Sequence, residues 1–158
     1  MSRVTGSWLS GGIGETGGDP QEWPGERLGL PKDGPGSVAT RGVRLLALLV
    51  DLVLMTLVTS LFVEMDVNRP DVMQRFNYIS VAVWFVTTSG MVALFGFTAG
   101  KALFGLRVVR LDGKPMVGPL RAVPRTLLTA LLLPAVIGDA DSRGLHDKVT
   151  GTVVVRTR

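Results

Sequence analysis

LLALLVDLVLMTLVTSLFV, Leu45–Val63, is the stretch whose reading decides the fold. Its 19 residues carry one charge. At ~1.5 Å per residue a helix of this length runs about 28 Å, close to the roughly 30 Å hydrocarbon core of a bilayer. The charge is Asp51, seven residues after Arg44. A carboxylate at the centre of such a helix costs roughly 2.5–3.5 kcal/mol on insertion scales, and it normally faces other helices or a polar cavity. Asp51 therefore needs a structural or a functional reason.

Two more apolar segments follow. Tyr78–Gly100 has 23 residues and no charge, and reads as a second span. Its small polar centre, Thr87-Thr88-Ser89-Gly90, permits close helix approach and offers hydroxyls to a neighbour. Thr126–Gly138 has 13 uncharged residues with Pro134 inside, about 20 Å of helix and too short to cross. Arg121 and Arg125 could lengthen it by snorkelling, but a half-crossing or interfacial helix is the better reading. The expected architecture is an all-α integral membrane protein. It comprises a two-helix transmembrane hairpin (spans about 45–63 and 78–100), a short third interfacial or half-crossing helix within about 120–138, and a small cytoplasmic β-pair.

The β-pair comes from two short segments. GLRVVRLDGK, Gly105–Lys114, holds a β-branched pair and then Asp-Gly, a turn signal. GTVVVRTR, Gly151–Arg158, is rich in valine and threonine. Their pairing would keep the C-terminus on the side of the second loop.

Loop charges orient the hairpin. Residues 64–77 carry two basic and three acidic side chains, whereas residues 101–125 carry six basic and one acidic. The positive-inside rule puts the N-terminus and the second loop in the cytoplasm and residues 64–77 outside.

The first 40 residues differ in kind. They hold 10 of the 20 glycines and 4 of the 9 prolines, with no helical or strand period. Residues 1–40 are expected to be an extended tail without a packed core, and 41–158 the membrane domain. Trp8 and Trp23 are out of character for a linker and are candidate anchors to a partner or to the membrane interface.

Composition narrows the chemistry. Of 158 residues, 46% are hydrophobic and 19% charged, with the apolar ones clustered into spans. Cysteine is absent, which excludes disulfides, thiolate metal sites and cysteine nucleophiles. One histidine, His146, excludes a multi-histidine metal site within one chain. The net charge of +4 lies beside apolar segments and reads as membrane-orienting, not nucleic-acid binding. No small-residue cleavage site follows the first apolar run, so no secretory signal peptide is expected. There is no G-x-S-x-G elbow, and the Gly-Lys of GFTAGKALFG precedes Ala102, unlike a phosphate loop. No enzyme activity and no cofactor are expected.

Three blocks in order carry a family resemblance: R-x-x-A-x-x-x-D at Arg44–Asp51, FTAGKALFGLRVVRLDGKP at Phe97–Pro115, and GLHDKVTGTVVV at Gly144–Val155. Together they resemble the RDD family of small bacterial membrane proteins, named for an arginine and two aspartates, over roughly residues 41–155. The resemblance matches the arginine to Arg44, the first aspartate to Asp51 and the second to Asp147. It implies either of two roles, since some members are associated with cation/proton antiport and others serve as accessory domains. Many members have a longer third hydrophobic region than this chain.

The residues themselves leave alternatives open. Arg44 and Asp51 share a helix face about 10 Å apart along the axis. Asp51 could bind a proton or a small cation. It could equally clamp segments together by accepting hydrogen bonds from Thr87, Thr88, Ser89 or a helix N-terminus. In Arg143-Gly-Leu-His146-Asp147 the histidine could relay protons near neutral pH. Asp147 could instead fix the chain's return by pairing with Lys101, Arg107 or Arg44. The expected function is a non-enzymatic accessory subunit of a larger inner-membrane complex, a respiratory one being a candidate, tethered partly by its tail. The alternative is a cation/proton antiporter built around Asp51. Expected partners are other membrane subunits and the lipid bilayer, without nucleic acid; self-association stays open.

Overall fold

The computed structural model describes residues 22–131 and 145–158, apart from the side chains of Leu145 and His146. Two long helices dominate: α1, Arg41–Ser60, and α2, Pro70–Phe95. Both are long and apolar enough to cross a membrane. Only 17% of the apolar window of α1 and 33% of that of α2 is buried within the protein. Leu45, Leu49, Val53 and Leu57 on α1, and Val81, Val86 and Leu94 on α2, stay exposed. A soluble core helix would bury such a surface; a bilayer solvates it.

The helix limits differ from the expected spans, and local chemistry explains why. α1 begins four residues early, with the Arg44 N–H bonded to the Thr40 carbonyl. α2 begins at Pro70, whose fixed φ suits the first helical position. It ends at Phe95, five residues before the expected limit, because Gly96 takes a left-handed φ of 77° and returns its N–H to Val92 O. The chain then re-enters a short helix, α3, Ala99–Leu103, and continues into strand β1, Leu106–Arg110. Within α1 the Thr56 and Thr59 hydroxyls donate to the Leu52 and Met55 carbonyls, so neither needs a partner in lipid.

The third helix, α4, covers Pro119–Ala130. Its start agrees with the expected segment of about 120–138 to within one residue. Residues 132–144, including Pro134, lie outside the described residues. Its two arginines turn to protein partners. Arg125 is 4% exposed and points inward beside Ala122 and Thr126. Arg121 turns to the backbone carbonyls of Thr150 and Gly151. A short helix α5, Leu145–Thr150, leads into strand β2, Thr152–Arg156.

β1 and β2 pair antiparallel, Leu106 opposite Arg156 and Arg110 opposite Thr152. The expected tail boundary at residue 40 needs correction. Residues 36–39 run along the other edge of β2: Val38 bridges Val155, Ala39 N–H donates to Val154 O at 2.9 Å, and Arg156 N–H to Ser37 O at 2.9 Å. β2 is therefore central, with both its backbone edges used. Its three valines are all buried because both faces are covered as well. Val154 joins Ala47, Val92, Ala93 and Ala122 on the helical side. Val153 and Val155 meet Val38, with Leu28 and Leu30 packed against them. Composition alone concealed this, because backbone pairing to β2 and a few apolar side chains are enough to dock a Gly/Pro-rich segment.

Candidate functional site

The first anchor is Asp51. It sits on the α1 face that also carries Arg44 and Ala47, and it is 3% exposed. The Thr98 hydroxyl donates to Asp51 Oδ2, and the Gly100 N–H donates to Oδ1 at 2.7 Å. Both donors belong to the start of α3, whose first N–H groups have no partner within the helix. Asp51 thus acts as a cap supplied by another element, and the positive end of the short helix favours its charge. Thr98 is also the local N-cap, accepting from Lys101 N–H at 3.3 Å.

This contact requires close approach. A Cβ at Gly100 would lie 2.1 Å from Ala47 O and 3.0 Å from Asp51 Cγ. Ala47, one turn before Asp51, is fully buried. The spacing R-x-x-A-x-x-x-D thereby acquires a physical meaning. Ala47 lets α3 rest on α1, Asp51 fastens it, and Arg44 reaches elsewhere.

Arg44 reaches the second anchor, Asp147, which is 0% exposed. Arg44 Nη1 donates to Asp147 Oδ2 at 3.0 Å, and Arg44 Nη2 to Val154 O at 3.2 Å. From α4, Arg125 places Nε at 3.0 Å and Nη2 at 2.6 Å from Oδ1. The Thr152 hydroxyl adds a contact at 3.3 Å. One carboxylate so ties α1, α4, α5 and β2 together. A buried charge is tolerated when it is paired and its lone pairs are satisfied.

These partners correct part of the sequence reading. Asp51 bonds to Thr98 and the α3 N-terminus, not to Thr87, Thr88 or Ser89. Those three lie on α2, upstream of Gly96, whereas the chain beyond Gly96 folds back onto α1. Asp147 pairs with Arg44, as one alternative allowed, and with Arg125, which the sequence reading overlooked. The signal was present: an arginine bordering a short apolar segment demands a reason just as Asp51 does. Trp23 donates its indole N–H to Leu30 O at 3.0 Å, within its own segment. Trp8 and Arg143 lie outside the described residues, as does the side chain of His146.

Lys101 lies half-buried between the anchors, with Nζ 3.4 Å from Thr98 Oγ1. Burial, then the nearby Arg125 charge, pull its ammonium down to about 8 from the ordinary 10.5, against the attraction of Asp51 and Asp147. The unfolded chain therefore binds more protons than the folded one between pH 8 and 10.5, and stability contributed by Lys101 rises with pH across that window. Wild type should gain thermal stability relative to Lys101→Met over this range. Parallel melting curves for the two proteins in detergent would contradict this.

Among the described residues, no group of three His, Cys, Asp or Glu side chains could hold a metal ion. What the arrangement does chemically is fasten: each carboxylate oxygen at the two anchors receives a donor from another segment. The model of the RDD family matches residues 38–151, beginning where Val38 meets β2. No curated protein and no solved structure matches the chain.

Proposed function

The chain belongs to the RDD family, and from that premise we propose that it is a non-enzymatic accessory subunit of a larger bacterial inner-membrane complex, a respiratory one being a candidate. The observation carrying this reading is that both family aspartates use their oxygens on the protein's own donors. A transport carboxylate must exchange partners with its cargo; a fastening one holds them. Two spans enclose no pathway by themselves, but their largely uncovered apolar faces suit packing against neighbouring subunits or lipid.

In this reading both termini and the loop around β1 face the cytoplasm, supported by the basic excess of residues 101–125. Trp23 is engaged with Leu30, so the tethering role falls to the segment containing Trp8. A truncation test should therefore remove only residues 1–21, which leaves the packed residues 36–39 and Leu28–Leu30 in place. Solubilised gently, the full-length tagged protein should bring down a stoichiometric membrane complex, and the truncated protein should lose most of it. Isolation of the full-length protein alone, together with proton-coupled cation flux in liposomes that Asp51→Asn abolishes, would replace this reading with the antiporter.

A further inference from the structure

The exposed face of α1 does not stop where the helix stops. Val53, Leu57 and Leu61 follow one another at helical spacing, and so do Leu54, Val58 and Phe62; all six side chains are exposed. The spacing holds past Ser60 because the backbone keeps a helical path for one more turn. The Phe62 N–H donates to Thr59 O at 3.0 Å, and the Val63 N–H to the same carbonyl at 2.9 Å. Leu61 is 77% exposed and Phe62 83%. Apolar side chains then continue into the connection to α2, with Met65 51% and Val67 74% exposed.

The charges of this connection are met within it. Arg69 reaches Glu64 Oε1 at 2.8 Å and Asp66 Oδ2 at 3.2 Å. Asp66 Oδ1 also accepts the Asn68 N–H at 2.9 Å, which closes a turn. The two helices set its depth. The apolar run ending at Val63 spans about 28 Å, and the uncharged part of α2, Phe76–Phe95, spans about 30 Å. Both match the roughly 30 Å hydrocarbon core, so its edge passes near Phe62 on α1 and Phe76 on α2. The exposed Tyr78 stands at that edge, where amphipathic rings settle. Residues 70–75, with Asp71 and Arg75, extend about 9 Å beyond it. The connection therefore rises through the headgroup zone, which is about 5–7 Å deep on each side.

We propose that residues 61–67 are an interfacial membrane anchor. Leu61 and Phe62 enter the acyl-chain edge of the leaflet farthest from the β-sheet, Met65 and Val67 lie at headgroup depth, and the Glu64–Arg69–Asp66 group faces water. The occupant of this surface is lipid and not a second protein, because the surface continues without a break the α1 face that a bilayer solvates. Its charges, already paired with one another, offer a docking protein no open partner. The anchor fixes the depth and tilt of a hairpin whose helices are unequal, α1 having 20 residues and α2 26. The inference rests on the membrane placement of the chain and is independent of the accessory-subunit reading.

The chain has no cysteine, so a single introduced one carries a spin label on a clean background. The test uses the full-length protein in nanodiscs of phosphatidylcholine and phosphatidylglycerol, labelled at Leu57→Cys, Phe62→Cys, Val67→Cys or Gln74→Cys, one at a time. All four side chains are exposed, so the fold does not depend on them. Collision rates are read with oxygen, which enters lipid, and with a nickel chelate, which stays in water. Phe62→Cys should match Leu57→Cys in favouring oxygen. Val67→Cys should meet nickel about tenfold less often than Gln74→Cys, the ratio that burying one apolar side chain sustains. On wild type, a phospholipid with a carbene precursor at the top of its acyl chain should label residues 61–67. Nickel access at Phe62→Cys and Val67→Cys equal to that at Gln74→Cys overturns the proposal, since the connection would then lie in water. Shielding of both from oxygen and nickel alike, or spin–spin broadening between labelled copies, overturns it in favour of a protein partner or a second copy. Nickel access at Leu57→Cys would overturn the membrane placement as well.

Discussion

Asp147→Ala is expected to be the most damaging single substitution in the described structure. It leaves the Arg44 and Arg125 guanidiniums buried side by side without a counter-charge, and removes the acceptor shared with Thr152. Removing one partner of a buried ion pair costs about 3–5 kcal/mol, because the remaining charge stays desolvated. Two charges are stranded here. The expected result is loss of folded protein, seen as a collapse in detergent-purified yield or in unfolding midpoint. Arg125→Met combined with Asp147→Leu should recover part of the loss, since a buried ion pair replaced by apolar side chains is often neutral. An Asp147→Ala protein that melts like wild type would mean that the anchor does not hold α4 and α5 to α1.

Gly100→Ala is expected to be nearly as severe, for a steric reason. The new methyl would stand 2.1 Å from Ala47 O, a backbone atom that cannot rotate away. α3 would have to lift from α1 and break the Gly100 N–H bond to Asp51. Overpacking costs about 1–3 kcal/mol, and a buried carboxylate oxygen losing its donor adds about 1–3 kcal/mol. Gly90→Ala is the control. Nothing lies within 4 Å of its Cβ position, and alanine in a helix interior is favoured over glycine by roughly 0.5–1 kcal/mol. Gly90→Ala should therefore match or exceed wild type in unfolding midpoint while Gly100→Ala falls well below it. Equal midpoints for the two variants would mean that the close contact of α1 and α3 does not hold the fold.

Much of the fold was legible because membrane insertion leaves plain marks. A run of uncharged apolar residues long enough to cross a bilayer is rare in a water-soluble chain, and a carboxylate inside it must be satisfied. Residues 106–110 and 152–156 read as strands from their valines and flanking turn signals, and they pair. The three family residues could be named without coordinates. Their partners could not. Arg44 lies seven residues from Asp51, yet it bonds to a residue 103 positions away. Thr98 and Gly100 looked like the fading end of the second span, because Gly96 closes α2 only by virtue of a left-handed backbone conformation that no hydropathy pattern records.

The amino-acid order by itself determined that two apolar helices would form, that Asp51 would need donors, and that the Val-rich C-terminal run would seek a strand partner. Those outcomes follow from local hydrophobic length and from the penalty on unsatisfied polar groups, and each can be judged within one segment. Only the tertiary structure decided which donors arrive: α3 folding back over Ala47 to cap Asp51, Arg44 and Arg125 converging on Asp147, and residues 36–39 joining the edge of β2. The physical reason is that a buried charge specifies the need for a partner but not its address. The address is set by turns and close backbone approaches distributed over the whole chain.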